Sequence, residues 1–403
     1  MAKIRFFENF RKQNINGNNE NHRDDFRSKL IRHRLLMFYR TVIIIAVIAA
    51  ITLIVYIGEV NREYNEYDIL SDEDRIYSED AVYLPYGNNV LKYSKDGAEA
   101  FDGNNNAIWN QTYEMQNPQA AVCGEWAALG DFKGNSIFIM NSDGAAGEIS
   151  TKLPVSAFCI SETGVVAAVL EDDDETRINL YNTQGEILVA MKCTMSKSGY
   201  PADISLSPDG LKLAVSYMRI ENGKLKSSVA FYNFDEVGQN EIDNYVSGYD
   251  YVDTVVPKVK FINSETAFAL GDNRLVIYKG SQKPISYFET YLNEEVQSVY
   301  YSKNAIALVF RGNGGDAASR VDVYSDKGDL KFSKGFNIQY TDIVLNEDSI
   351  IIYNDIDCLM YMYNGKEKYN GMFEDPVLLL VPKDSLNKWT LVSRDAVQTV
   401  QLK

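Results

Sequence analysis

Residues 203–216, DISLSPDGLKLAVS, contain two short apolar runs on either side of a tight turn. Alternation places Ile204 and Leu206 on one face of the first run, and the second run alternates in the same way. Between the runs, Pro208 fixes φ and Gly210 accepts a positive φ, as a tight turn requires. The stretch therefore predicts a β-hairpin.

Units of this kind recur along the chain from about residue 81. Each unit has an apolar strand, a turn, a second apolar strand, a loop, and a third strand that ends in an aromatic or large residue before a polar turn. The third strands are the easiest to align. They lie at residues 98–103, 137–144, 178–185, 229–234, 275–280, 321–328 and 359–365, with an eighth copy at 397–402.

The spacing of these strands indicates the fold. From Phe101 to Tyr363 the steps between equivalent residues are 39, 41, 51, 46, 46 and 39. A β-propeller blade has about 40–50 residues in four strands, whereas a solenoid uses shorter units and a sandwich lacks such self-similarity. We therefore predict an all-β chain with a β-propeller over residues 81–403. Eight blades are favoured and seven are the alternative, and a strand near 82–84 is expected to close the ring against residues 389–402.

Two motifs resemble known propeller repeats. The turn at residues 207–210 is similar to the SPDG turn of TolB-like and WD-type repeats. The stretch 102–109 resembles a strand junction of quinoprotein-type repeats, in which a Trp packs between blades. For Trp109 we expect packing alone and no cofactor.

The layout over residues 30–403 resembles a family of uncharacterised Gram-positive single-pass membrane proteins with an extracytoplasmic β-propeller, a domain of unknown function. The resemblance rests on the order of basic tail, apolar segment and propeller, and on the motifs at 109–111, 117–118, 199–201, 207–210 and 231–234. It implies a fold and a location, and it supplies no active site.

Residues 41–58, TVIIIAVIAAITLIVYIG, are uncharged and predict one transmembrane helix. As a helix, 18 residues measure about 27 Å, which is the thickness of a bilayer's hydrocarbon core. A cleaved secretory signal has a shorter apolar stretch and a small-x-small site, and neither is found here. We expect an uncleaved anchor that contacts the lipid bilayer.

The charges that flank the anchor predict its orientation. Residues 1–40 hold ten Lys and Arg against four acids, whereas residues 59–80 hold two against nine. The positive-inside rule then places the partly disordered basic tail (1–40) in the cytoplasm, with an acidic linker (59–80) and the propeller outside the cell membrane. Residues 59–403 carry 30 basic and 52 acidic residues, so a nucleic-acid partner is not expected.

The composition limits the chemistry of the outer domain. His22 and His33 both lie in the tail, which excludes histidine-based triads and histidine-ligated metals from the propeller. The run 171–175 is acidic but lacks the spacing of a calcium loop, and no metal site is predicted. The chain has four cysteines, Cys123, Cys159, Cys193 and Cys358. Cys123 and Cys159 lie within apolar runs, and no CxxC pair is present, so free thiols are favoured over disulfides.

Residues 235–257 form the longest interruption of the repeat. Tyr245, Tyr249 and Tyr251 fall within it, and we name them as candidate binding residues because aromatic side chains on long loops can stack on sugars or contact proteins. The sequence as a whole favours a non-enzymatic binding or scaffolding module with a protein or glycan ligand on a propeller face. The alternative is a carboxylate-dependent enzyme that acts on cell-envelope glycan.

Overall fold

The computed structural model describes residues 21–75, 78–171, 176–194, 198–221, 223–312, 317–383 and 387–403. Two units are distinguished along the chain, Met1–Arg62 and Glu63–Lys403. The first contains one long helix, α1 (Asn21–Asn61). Within α1 the segment Ile31–Val55 is long and apolar enough to cross a membrane, and none of it is buried. The predicted apolar helix is therefore present.

The second unit is an eight-bladed β-propeller, in which the described strands form eight four-stranded antiparallel sheets. The first strands of blades 1 to 8 are β2 (Val82–Tyr86), β6 (Pro118–Cys123), β10 (Val155–Ile160), β14 (Tyr200–Leu206), β18 (Lys258–Phe261), β22 (Val296–Ser302), β26 (Asp342–Leu345) and β30 (Val377–Pro382). The second strands are β3 (Asn89–Tyr93), β7 (Trp126–Asp131), β11 (Val166–Glu171), β15 (Lys212–Glu221), β19 (Thr266–Leu270), β23 (Ala305–Arg311), β27 (Ser349–Tyr353) and β31 (Lys388–Ser393).

The third strands carry the repeat that the sequence revealed. They are β4 (Gly97–Phe101), β8 (Ser136–Asn141), β12 (Thr176–Tyr181), β16 (Lys224–Asn233), β20 (Arg274–Lys279), β24 (Ser319–Ser325), β28 (Asp357–Met362) and β32 (Ala396–Leu402). The fourth strands are β5 (Ala107–Thr112), β9 (Gly144–Ser150), β13 (Ile187–Cys193), β17 (Tyr245–Tyr251), β21 (Ile285–Tyr291), β25 (Leu330–Phe336), β29 (Glu367–Met372) and, in blade 8, β1 (Tyr67–Asp74). Between β16 and β17 lie α2 (Glu236–Gln239) and a 3₁₀ turn at Ile242–Asn244.

The first strand of each blade lies nearest the centre of the ring. First strands of most neighbouring blades contact one another, and β2 contacts β30 where blades 1 and 8 meet. The turns between first and second strands therefore converge on one face around the central opening. The predicted all-β class and the favoured count of eight blades are confirmed.

Apolar clusters fill the eight seams between blades. The seam between blades 5 and 6, for example, contains Phe268 and Ile277 of blade 5 and Ile306 and Leu308 of blade 6. Because each blade packs on both of its faces, the second and third strands are apolar at consecutive positions and do not alternate with polar residues. In β23, six of the seven residues (Ala305–Phe310) are buried. Trp109 is buried and packs edge-on against Tyr86, as expected of a packing residue.

The hairpin at residues 203–216 forms as predicted. β14 and β15 pair antiparallel, with Leu206 opposite Leu213. The Gly210 N–H donates to the Ser207 carbonyl at 2.8 Å, and the buried Lys212 ammonium lies 3.2 Å from the Asp209 carboxylate. The turn therefore satisfies its own polar groups, and this blade can bury both strands.

The predicted ring closure and part of the predicted linker are wrong. Residues 67–74, assigned to the acidic linker, form β1, which pairs with β32 from Tyr67 opposite Leu402 to Asp74 opposite Ala396. The strand at 82–86 is the first strand of blade 1 and pairs with β3. β1 escaped prediction because it is outermost and mostly exposed, so the sequence YDILSDED has no apolar face to bury.

Candidate binding site at the central opening

Neighbouring turns around the opening are joined by hydrogen bonds. The Gly87 N–H donates to the Gly124 carbonyl at 3.0 Å, linking blades 1 and 2, and the Glu162 N–H donates to the Pro208 carbonyl at 2.9 Å, linking blades 3 and 4. The turns between first and second strands are called the turn rim below. These hydrogen bonds fix the turn of blade 1 against that of blade 2, and the turn of blade 3 against that of blade 4.

One ion pair joins turns that are three blades apart. The Lys303 Nζ of blade 6 lies 3.4 Å from the Glu162 Oε1 of blade 3. The Lys303 carbonyl also accepts a hydrogen bond from the Asn263 side chain of blade 5 at 2.8 Å. The Lys303 side chain thus reaches across the opening to the turn of blade 3.

Lys260, on the first strand of blade 5, lies among residues from four other first strands. Its Nζ is 5.5 Å from the centre of the Tyr301 ring, and its other electrostatic neighbours are Cys159, Cys123 and Asp203. Burial lowers the pKa of the Lys260 ammonium, but these neighbours together raise it above its ordinary value. Lys260 therefore places an ammonium group inside the opening.

The four cysteines are free thiols. Burial raises the pKa of Cys159 to about 12 and also raises the pKa of Cys123. A thiol with a raised pKa stays protonated at neutral pH, and only the thiolate is a good nucleophile or metal ligand. Cys123 and Cys159 therefore act as small packing residues beside Lys260.

A groove of about 830 Å³ opens at the turn rim. Blades 1, 6, 7 and 8 supply its walls, which include Asn88, Ser302, Lys303, Asn304, Asn346, Glu347, Asp348 and Lys383. Amides, carboxylates and ammonium groups of this kind hydrogen-bond to polar segments, and the groove holds no histidine because both histidines precede the propeller. The arrangement suits binding of a polar or charged ligand.

The structure places the three candidate tyrosines in two different seams. Tyr251 is buried and its hydroxyl hydrogen-bonds to that of Tyr278 in blade 5. The Tyr249 hydroxyl accepts the Ser286 N–H at 3.0 Å and so also joins blade 4 to blade 5. Tyr245, in contrast, is 46% exposed and lies beside Tyr232 in the seam with blade 3. The three do not form one surface.

One carboxyl away from the turn rim has a raised pKa, that of Asp342 at the start of β26. Burial raises its pKa, although the Ile343 N–H and the Tyr353 hydroxyl donate hydrogen bonds to its carboxylate. In the part of the chain that the structure describes, no group of three or more His, Cys, Asp or Glu could hold a metal ion. Residues 172–175 of the acidic run lie outside that part.

Sequence reasoning missed the groups inside the opening. Lys260 and Tyr301 lie in separate blades, and neither stands out from its own strand. Aligning the first strands by phase would have placed Cys159, Lys260 and Tyr301 near the same end of their strands. That these three side chains come together inside the opening depends on the closure of the ring.

Comparison with known proteins identifies relatives of the propeller. A model described as "Family of unknown function (DUF5711)" matches residues 60–402. No curated protein matches the chain. Among solved structures, Sqt1 of Chaetomium thermophilum, bound to the N-terminus of ribosomal protein L10, is similar with a TM-score of 0.51 and 13% identity, over 84% of this chain and 100% of that one.

Two further structures are similar at lower scores. BamB of Moraxella catarrhalis has a TM-score of 0.46 and 11% identity, over 84% of this chain and 100% of its own. The Pan2 WD40 domain of Neurospora crassa has a TM-score of 0.43 and 9% identity, over 85% of this chain and 97% of its own. At such identities the likeness concerns the fold alone.

Proposed function

The chain belongs to DUF5711, a family of unknown function, and we propose that it is a membrane-anchored binding or scaffolding module whose propeller lies outside the cytoplasm. The observation that carries this proposal is the turn rim, a ring of turns, some of them joined by backbone hydrogen bonds, around an opening that contains charged and amide side chains but no histidine. Such a frame provides a preorganised surface for a partner, and preorganisation reduces the entropy lost on binding.

A polypeptide partner fits the rim. Sqt1, a propeller of comparable fold, was solved with the N-terminus of another protein bound to it. The rim of the present chain exposes Glu125, Glu265, Glu347 and Asp348. Because residues 59–403 carry 52 acids against 30 bases, the field around the propeller attracts cations. The proposed partner is therefore a protein with a basic segment.

The anchor and its sidedness are supported by composition. The uncharged segment 41–58 follows the basic tail (1–40), and the acidic excess lies on its C-terminal side. Protease added to intact cells should digest the propeller and spare the tail, and alkaline carbonate should leave the chain in the membrane. Protection of the propeller in intact cells, with digestion only after lysis, would place it in the cytoplasm and contradict the proposal.

Site-specific photo-crosslinking tests the partner. A photoreactive residue at Asn88, on the turn rim, should capture one protein in native membranes, whereas the same residue at Asn110, exposed on the outermost strand of blade 1, should not. Glu347→Lys should reduce the Asn88 product at least several-fold by reversing a rim charge. Equal capture from both positions, no product at Asn88, or a product unaffected by Glu347→Lys counts against a partner at the rim.

A carboxylate-dependent enzyme acting on envelope glycan is the second candidate. Asp342 favours it, because a carboxyl with a raised pKa is suited to general acid chemistry. If Asp342 is the acid, Asp342→Asn should abolish release of soluble sugar from purified envelope polysaccharide by the full chain. Release that is absent in the unaltered protein, or unchanged in the variant, excludes this assignment.

A further inference from the structure

A second, smaller cleft lies away from the turn rim, on the side of blade 4 that packs against blade 3. Its volume is about 260 Å³, and its lining includes Ser198, Tyr217, Arg219, Tyr232, Tyr245 and Asp250. A space of this size accommodates a single six-membered ring and is too small for a helix or a strand. The lining is polar and aromatic, which is the composition of a site for a small ligand with hydroxyl groups.

Tyr245 provides a flat aromatic surface at this cleft. Its ring folds back along β17, and its hydroxyl occupies the space that a side chain at Gly248 would fill. Only a glycine allows the ring to lie this close to the strand. One side of the ring is thus supported by the backbone, the edge meets Tyr232 at a centroid distance of 6.0 Å, and 46% of the residue stays exposed.

Charged and hydroxyl groups lie beside this ring. The Arg219 Nη2 is 3.3 Å from the Asp250 Oδ1, and the Asp250 side chain is 65% exposed. Deeper in the cleft, the Tyr217 and Tyr232 hydroxyls are 3.0 Å apart. A guanidinium beside a carboxylate offers donors and acceptors in one plane, so that two adjacent hydroxyls of a ligand can be bound together.

We propose that this cleft binds one pyranose ring of a glycan. The apolar face of the sugar stacks on Tyr245, and its hydroxyls hydrogen-bond with Arg219 and Asp250. Tyr245 buries carbon–hydrogen surface without losing much side-chain freedom, and the ion pair supplies orientation. The cleft is separate from the turn rim, so this site does not depend on a protein partner at the opening.

Saturation-transfer NMR on the full chain in lipid nanodiscs tests the site without sugar-based detergents. The probes are methyl β-glucopyranoside, methyl α-mannopyranoside, methyl β-galactopyranoside and N-acetylglucosamine, each at millimolar concentration. At least one should receive saturation. Tyr245→Ala should weaken its affinity about fivefold or more through loss of the aromatic contact. Tyr245→Phe, which keeps the ring, should bind as the unaltered chain does.

Tyr287→Ala is the matched control, because Tyr287 is 55% exposed on the outermost strand of the next blade. It should leave sugar binding unchanged. Thermal melting of each variant separates loss of the site from loss of the fold. The proposal is overturned if no sugar in the panel binds, if folded Tyr245→Ala binds normally, if Tyr245→Phe loses as much affinity as Tyr245→Ala, or if Tyr287→Ala has the same effect.

Discussion

Arg75 shows how much one side chain contributes where the ring closes. It directly follows β1, and its side chain is 4% exposed. The guanidinium centre lies 4.0 Å from the Phe101 ring centre and 4.9 Å from that of Tyr83, and its Nη2 is 3.1 Å from the Glu99 carboxylate. A buried cation between aromatic rings is bound more strongly than an exposed one. Arg75 thus ties the last blade to the first.

Arg75→Ala should therefore lower the free energy of unfolding by about 2 kcal/mol, because it leaves two aromatic rings without their cation and leaves Glu99 with Lys92 as its remaining ion-pair partner. Urea denaturation of the full chain measures the loss. Arg219→Ala is the control, since its ion pair with Asp250 is exposed and should contribute less than about 1 kcal/mol. Equal losses in the two variants would refute a special role for Arg75.

Asp342 predicts a pH dependence. Because burial raises its pKa, the folded state holds the proton more tightly than the unfolded state does. Its contribution to stability is then present at low pH and is lost as pH rises through the folded-state pKa. Asp342→Asn should accordingly melt at a higher temperature than the unaltered chain at pH 7, and this advantage should shrink as the pH falls toward about 4.

Asp102 supplies the opposite control. Burial raises the pKa of its carboxyl, but hydrogen bonds from Asn106 and Asn104 lower it overall. The carboxylate therefore stabilises the fold above its unfolded-state pKa, and that stability is lost as pH falls. Asp102→Asn should melt at a lower temperature than the unaltered chain at pH 7. If both variants shift melting in the same direction, the two local environments are wrongly described.

At the scale of elements, the turns between third and fourth strands determine how closely blades approach. Gly328 in blade 6 has φ +90° and Gly365 in blade 7 has φ +88°, so both adopt the left-handed backbone that glycine favours. A Cβ at Gly328 would overlap the Phe288 ring of blade 5, whereas a Cβ at Gly365 would have no atom within 4 Å. The same turn geometry therefore carries a packing constraint in one blade only.

Gly365→Ala should cost about 1 kcal/mol from backbone strain alone. Gly328→Ala should cost about 3 kcal/mol, because displacement of Phe288 adds to the same strain. Chemical denaturation of the two single variants gives the difference directly. Costs that agree within error would mean that the Phe288 contact contributes nothing.

For the whole molecule, stability depends on joining its two ends. β1 completes blade 8 by pairing with β32, so residues about 330 positions apart in sequence are neighbours, as in the hydrogen bond between Gln398 and Asp72. Without β1, the backbone groups of β32 on that edge would be unpaired and blade 8 would have three strands. A ring opened at this point also loses contacts at the seam with blade 1.

Deletion of residues 63–74 should therefore lower the melting temperature of the propeller by about 10 °C or more, or prevent accumulation of folded protein. Circular dichroism of the deletion variant and of the unaltered chain, both in micelles, measures the two melting temperatures. Deletion of residues 2–20, in the basic tail, should leave melting of the propeller unchanged. A propeller that melts normally without residues 63–74 would show that β1 is dispensable for closure.

The blade repeat was predictable because its signals are local. The eight segments that the sequence predicts as third strands, from 98–103 to 397–402, are the third strands of the eight blades in the structure. The hairpin at 203–216 forms around its Pro-Asp-Gly turn. In each case apolar residues and turn residues follow one another within a few positions. Tyr249 and Tyr251 could not be interpreted in that way, since their packing depends on Ser286 and Tyr278 in the next blade.

The sequence by itself determined the fold class, a count of eight or seven blades with eight favoured, and the apolar helix, since each follows from hydrophobic patterning within a short window. The structure decided between the two counts. Only the tertiary structure decided which strand closes the ring, which side chains meet at the opening and which tyrosine is accessible. The closing strand is acidic and solvent-facing, so it has no apolar pattern to detect. Lys260, Cys159 and Tyr301 are brought together only when the separate blades curve into a closed circle.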